Sequence, residues 1–85
     1  MINNLKNMEF EDFIEKFAEQ FEDTPKNHFC ADLKYRELDE WSSLVAVCII
    51  TMVDEEYGVV LTGEDIRESE TVEDVFNIIK AKVTE

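Results

Sequence analysis

Apolar positions near the start of the chain recur at helical spacing. Phe10, Phe13, Ile14, Phe17, Ala18 and Phe21 make one stripe of a 3.6-residue helix. Glu9, Glu11, Asp12, Glu15, Lys16, Glu19 and Gln20 fill the other face. Pro25 disfavours helical backbone at Thr24, so this helix is predicted to stop near Asp23. A second helix is predicted to begin near Ser42–Ser43 and to run to about Tyr57, where Gly58 ends it. Val59-Val60-Leu61 then reads as a short apolar connector. Thr62-Gly63-Glu64-Asp65 and Thr71-Val72-Glu73-Asp74 each carry the Ser/Thr-x-x-acid start signal. The first opens a short third helix around Ile66. The second opens a last helix striped by Val72, Val75, Phe76, Ile79 and Val83. The stretch from Thr24 to Trp41 is a long connection, anchored by Phe29, Leu33, Tyr35 and Leu38. The expected fold is all-α: a four-helix bundle with three longer helices and one short third helix. Its core is predicted to hold Phe10, Phe13, Phe17, Phe21, Ile49, Val53, Tyr57, Val72, Phe76 and Ile79.

The second helix breaks the pattern. At about 100° per residue, Ala46, Ile49, Ile50, Val53 and Tyr57 fall on one face, which is the expected core face. Leu44, Cys48, Thr51 and Glu55 fall opposite, with Val47 at their edge and Val45 and Met52 on the other flank. The first half of this helix is therefore apolar all round, whereas its end is acidic at Asp54, Glu55 and Glu56. Such a helix is either fully buried or presents a binding patch. A domain of this size can hardly enclose one helix completely, which favours the patch.

Composition narrows the function classes. The 85 residues make a single domain, 1–85, with one small core and no room for a deep catalytic cleft. Asp plus Glu number 21 against 8 Lys plus Arg, a net charge of −13. That surface repels phosphate backbones and anionic lipid, arguing against nucleic acid and membrane and for partners with basic patches. Cys30, Cys48 and His28 are too few and wrongly spaced for a disulfide framework or a zinc site. The first residues lack the apolar stretch of a secretory leader, and the longest apolar run, Leu44 to Ile50, is far too short to span a membrane. A soluble, reduced, cytoplasmic protein is expected.

Ser42 and Ser43 stand at the head of the second helix. Serine is a favoured helix N-cap because its oxygen accepts an orphan amide hydrogen. A serine there also sits beside exposed amides and the positive end of the helix dipole, where a phosphodiester is electrostatically favoured. No His stands nearby to activate it as a catalytic nucleophile, and no Gly-rich loop supplies an oxyanion hole. Chemistry at this serine would be performed by another enzyme.

Together these segments resemble the acyl carrier proteins, the phosphopantetheine-binding carrier family. Trp41-Ser42-Ser43-Leu44 is similar to the family's Asp-Ser-Leu attachment motif, which some branches precede with Trp. Glu55-Glu56-Tyr57 followed by Val59-Val60-Leu61 resembles the end of the family's second helix, and Thr71-Val72-Glu73-Asp74 the start of its last. The resemblance runs from about Met8 to Lys82. It implies that Ser43 carries 4′-phosphopantetheine, delivered from coenzyme A by a phosphopantetheinyl transferase. It further implies a monomer that is not itself an enzyme and that serves acyl-loading and acyl-using enzymes through Leu44, Val47, Cys48, Thr51 and Glu55. Ser42 replaces the family's Asp, and Val45 and Cys48 stand where acidic residues are common. That more apolar face implies dedicated partners in a specialised biosynthetic pathway. The alternative is an unmodified carrier-like helical module that binds a protein through the same face.

Overall fold

A computed structural model describes residues 9–83. The chain forms four α-helices: α1 (Phe10–Ala18), α2 (Ser43–Tyr57), α3 (Gly63–Glu68) and α4 (Val72–Val83). Among the described residues there is no strand. α1 packs on α2 and α4, and α3 packs on the same two helices. The result is the expected small helical bundle with a short third helix.

The predicted core residues are buried, except that Phe10 is half-buried against it. Phe10 sets its ring 4.7 Å from that of Phe76, tilted by 34°, and Phe13 lies 5.3 Å from the same ring. Phe17 sits among Phe13, Phe21, Phe29 and Tyr35, with ring centroids 5.3–6.2 Å away. Each aromatic pair of this kind adds about 0.5–1.5 kcal/mol beyond the area it buries. The hydroxyl of Tyr57 is buried with no hydrogen-bond partner among the described residues.

α1 ends at Ala18, a full turn before the expected stop near Asp23. The amides of Gln20 and Phe21 reach back only to the carbonyls of Phe17 and Ala18, tightening the last turn. The next amides, of Glu22, Asp23 and Thr24, turn to the carboxylate of Glu40. Pro25 sets only an outer limit; the helix tightens and ends before it, and a distant acceptor takes the amides that follow.

The connection that follows contains two single 3₁₀ turns, Lys26–His28 and Tyr35–Glu37. Phe29 and Tyr35 are buried as expected, while Leu33 and Leu38 are half-buried. This segment also finishes the helices it crosses. The carbonyls of Leu33 and Ala31 accept the amides of Val72 and Glu73, which open α4. The Tyr35 hydroxyl donates to the Ile66 carbonyl at 2.9 Å, and the Arg36 guanidinium donates to that of Ser69 at 2.8 Å. Orphan groups at helix ends thereby find partners in the loop.

The rotation of α2 differs from expectation. Val45 and Met52, placed on its flank, are buried, whereas Ala46 and Ile50 are only half-buried. A stretch that is apolar all round has no pattern to set its phase. Packing against α1 and α3 sets it instead.

Both predicted start signals form. Thr62 and Asp65 exchange hydrogen bonds at 3.0 Å in each direction. Thr71 and Asp74 do the same at 3.1 Å, and Asp74 also accepts the Glu70 amide. Lys82 of α4 reaches Asp65 at 3.1 Å and the Val60 carbonyl at 3.2 Å, tying the connector and α3 to the end of the bundle.

Two predictions follow from this packing. Phe17→Ala should cost about 3–5 kcal/mol, the loss of a buried ring plus the cavity it leaves. Chemical denaturation reads the cost, and an unchanged midpoint would show that the Phe stripe is not core. The second concerns acid. The amides of Glu70 and Thr71 hold the Asp74 carboxyl below its ordinary value of 3.8. Its stabilisation is complete above that value and is lost as pH falls through the lowered native value. Asp74→Asn should therefore lose less stability than the natural chain over that acidic window, measured as denaturant midpoint against pH.

Candidate functional site

The head of α2 is built from the connection inward. Trp41 is half-buried, its ring 5.2 Å from Tyr35 and 6.4 Å from Phe21. Glu40 beside it accepts the three amides after α1 and the Thr24 hydroxyl at 2.8 Å. Burial alone would push the Glu40 carboxyl up, but the Thr24 hydroxyl and those amides together hold it below its usual value. Ser42 then takes an extended backbone, and its Oγ accepts the Val45 amide at 3.3 Å. Its carbonyl accepts the Ala46 amide at 3.0 Å. Ser42 is the N-cap.

Ser43 is the first helical residue and is exposed. Its hydroxyl has no hydrogen-bond partner among the described residues. The backbone amides of Ser43 and Leu44 are likewise unpaired there, at the positive end of a helix of 15 residues. A phosphodiester on Ser43 would meet open donors and no carboxylate already bonded to them, so these residues suit a phosphopantetheine attachment.

Below Ser43 the outer face of α2 is apolar and open. Leu44 is 73% exposed and Val47 is 55% exposed. Thr51 and Glu55 continue this face and are exposed, while Cys48 is half-buried at its margin. Val47, Cys48, Thr51, Met52, Glu55 and Glu56 line a shallow groove against Lys16 of α1 and Glu19 and Gln20 just after it, about 310 Å³ in volume. Asp54, Glu55 and Glu56 crowd the last turn of α2, which holds no basic residue of its own; Lys16 of α1 is the cation beside them in the groove. Acidic side chains at this negative end of the dipole cost stability.

Glu40 escaped the sequence reading, because the amides it grips lie on the far side of the connection. His28 lines a surface dip of about 440 Å³ with Asp39 and Glu40, whose lining includes neither serine. No hydrogen bond joins it to Ser43. Among the described residues no group of His, Cys, Asp and Glu is placed to hold a metal ion, and no helix is long and apolar enough to cross a membrane.

Compared with models of protein families, curated proteins and solved structures, the chain finds no match.

Val47→Glu tests whether the open face is a surface. The variant should keep its fold, with stability within about 0.5 kcal/mol of the natural chain, the usual range for a surface change. Circular dichroism and a denaturant titration read this. An unfolded variant would show that Val47 belongs to the core.

Proposed function

We propose that the protein is an acyl or aminoacyl carrier, modified on Ser43 with 4′-phosphopantetheine and not itself an enzyme. The observation that supports this best is the division of labour between adjacent serines. Ser42 is committed to capping α2, while Ser43 beside it is exposed and has an unengaged hydroxyl. The open Leu44–Val47 face directly below supplies a docking surface for enzymes that work on the attached group.

In the modification, Ser43 Oγ forms a bond to the β-phosphorus of coenzyme A, the one that bears pantetheine. The bond from that phosphorus to the bridging oxygen of the pyrophosphate breaks. The serine proton passes to a base of the transferase, and the adenosine bisphosphate half leaves. When bound, the arm supplies a thiol that holds acyl or aminoacyl groups as thioesters. The chain's own part is to hold Ser43 at a fixed helix start and to present Leu44, Val47, Cys48, Thr51 and Glu55 beside it. Asp54, Glu55 and Glu56 favour partners with basic rims. Tethering one substrate to a small body raises its effective concentration at successive active sites. The acidic surface, with a net charge of −13, disfavours nucleic acid as a partner. A monomer in the cytoplasm suits this role.

Intact-mass measurement after incubation with coenzyme A and a transferase is the test. The natural chain should gain one phosphopantetheine group. Ser43→Ala should gain none and should change stability by no more than ~1 kcal/mol, the scale of a cap change. Ser42→Ala should still be modified, and Ser42→Asp at least as well as the natural chain. Modification persisting in Ser43→Ala, or a natural chain left unmodified by several transferases, would overturn the assignment. The second result would favour an unmodified module that binds protein through α2.

A further inference from the structure

We propose that Glu40 is a positioning residue for group transfer to Ser43, acting as a clamp between the end of α1 and the start of α2; the inference rests on the carrier reading above. Three successive amides, of Glu22, Asp23 and Thr24, converge on its carboxylate, and the Thr24 hydroxyl adds a fourth donor at 2.8 Å. Successive backbone N–H groups turned inward form an anion cradle, and here the anion is a side chain of the same chain. Charge-assisted bonds of this kind are roughly twice as strong as neutral ones. Only Trp41 and Ser42 stand between Glu40 and the attachment serine.

The stretch needs such a clamp. Ser42 and Ser43 are both exposed, and the Ser43 side chain is bonded to nothing in the described chain. Capping by Ser42 fixes the first turn of α2 internally, and the buried Val45 seats that turn on the core. Two neighbouring residues tie down the segment that leads into it: Trp41 through its ring against Phe21 and Tyr35, and Glu40 through the amides. Both grip the segment leaving α1. A transferase docked on the bundle then meets Ser43 Oγ at a defined place, and small misplacements of a reacting atom carry large rate costs. The same grip fixes the path of the chain once α1 has ended: the amides of Glu22, Asp23 and Thr24 are turned to Glu40.

Glu40→Gln is the test, because the amide side chain presents an NH₂ toward donors and can accept with only one oxygen. Asp39→Asn is the control on the same connection, since Asp39 makes no side-chain hydrogen bond among the described residues. Transfer from coenzyme A is followed by intact mass at saturating and limiting coenzyme A, and amide exchange of Glu22, Asp23 and Thr24 by NMR. Glu40→Gln should lower kcat about tenfold with KM for coenzyme A unchanged, and those amides should exchange faster. Asp39→Asn should match the natural chain in both. Should Glu40→Gln fail to fold, Thr24→Val removes one donor and keeps the amides; it should lower kcat by about two- to threefold. Loss of amide protection with unchanged kcat would overturn the positioning role while leaving the carrier reading standing. So would unchanged kcat in a Thr24→Val chain where that variant is needed. A natural chain that is never modified would overturn the carrier reading and this proposal with it.

Discussion

The packing of Phe17 is the constraint on which the other parts of this protein depend. The chain must carry a long connection with almost no regular hydrogen bonding between α1 and α2. Such a segment pays the full entropy of ordering and recovers it only through side chains. Phe17 recovers much of it, because its ring meets those of Phe21, Phe29 and Tyr35. Tyr35, once seated, reaches the carbonyl of Ile66 at the end of α3. Trp41 packs on Tyr35 and Phe21 and delivers the chain to Ser42. The connection is thus both the support of the candidate site and the finish of two other helices, and one buried aromatic holds it in place.

Charge has two roles in this acidic chain. Glu40, Asp65 and Asp74 each turn inward to backbone amides, and each is held below its ordinary pKa. For Asp65, burial pushes the other way, and the Thr62 amide and Lys82 prevail over it. These three carboxylates organise helix ends. Asp54, Glu55 and Glu56 do the opposite: they sit exposed where the α2 dipole disfavours them and meet no basic side chain in the last turn. They leave the end of α2 strongly negative beside the open apolar face of Leu44 and Val47.

The helices were legible because they rest on local rules. A stripe at 3.6-residue spacing marked α1 and α4, the Thr-x-x-Asp boxes marked the starts of α3 and α4, and Gly58 marked the end of α2 through its positive φ of 65°. Ser42 and Ser43 could be placed at the head of α2 by the same local reasoning, as could the exposure of Leu44 and Val47, since so small a body cannot enclose an all-apolar helix. What tertiary structure alone decided has a common cause. The course of the chain after α1 depends on Glu40, whose partners stand 16 to 18 positions away. The buried face of α2 depends on neighbours, because an apolar surround carries no phase. The clamp behind Ser43 joins residues that share no periodicity. Sequence pattern reports what a residue does within its own element; these contacts exist only once separate elements have been brought together.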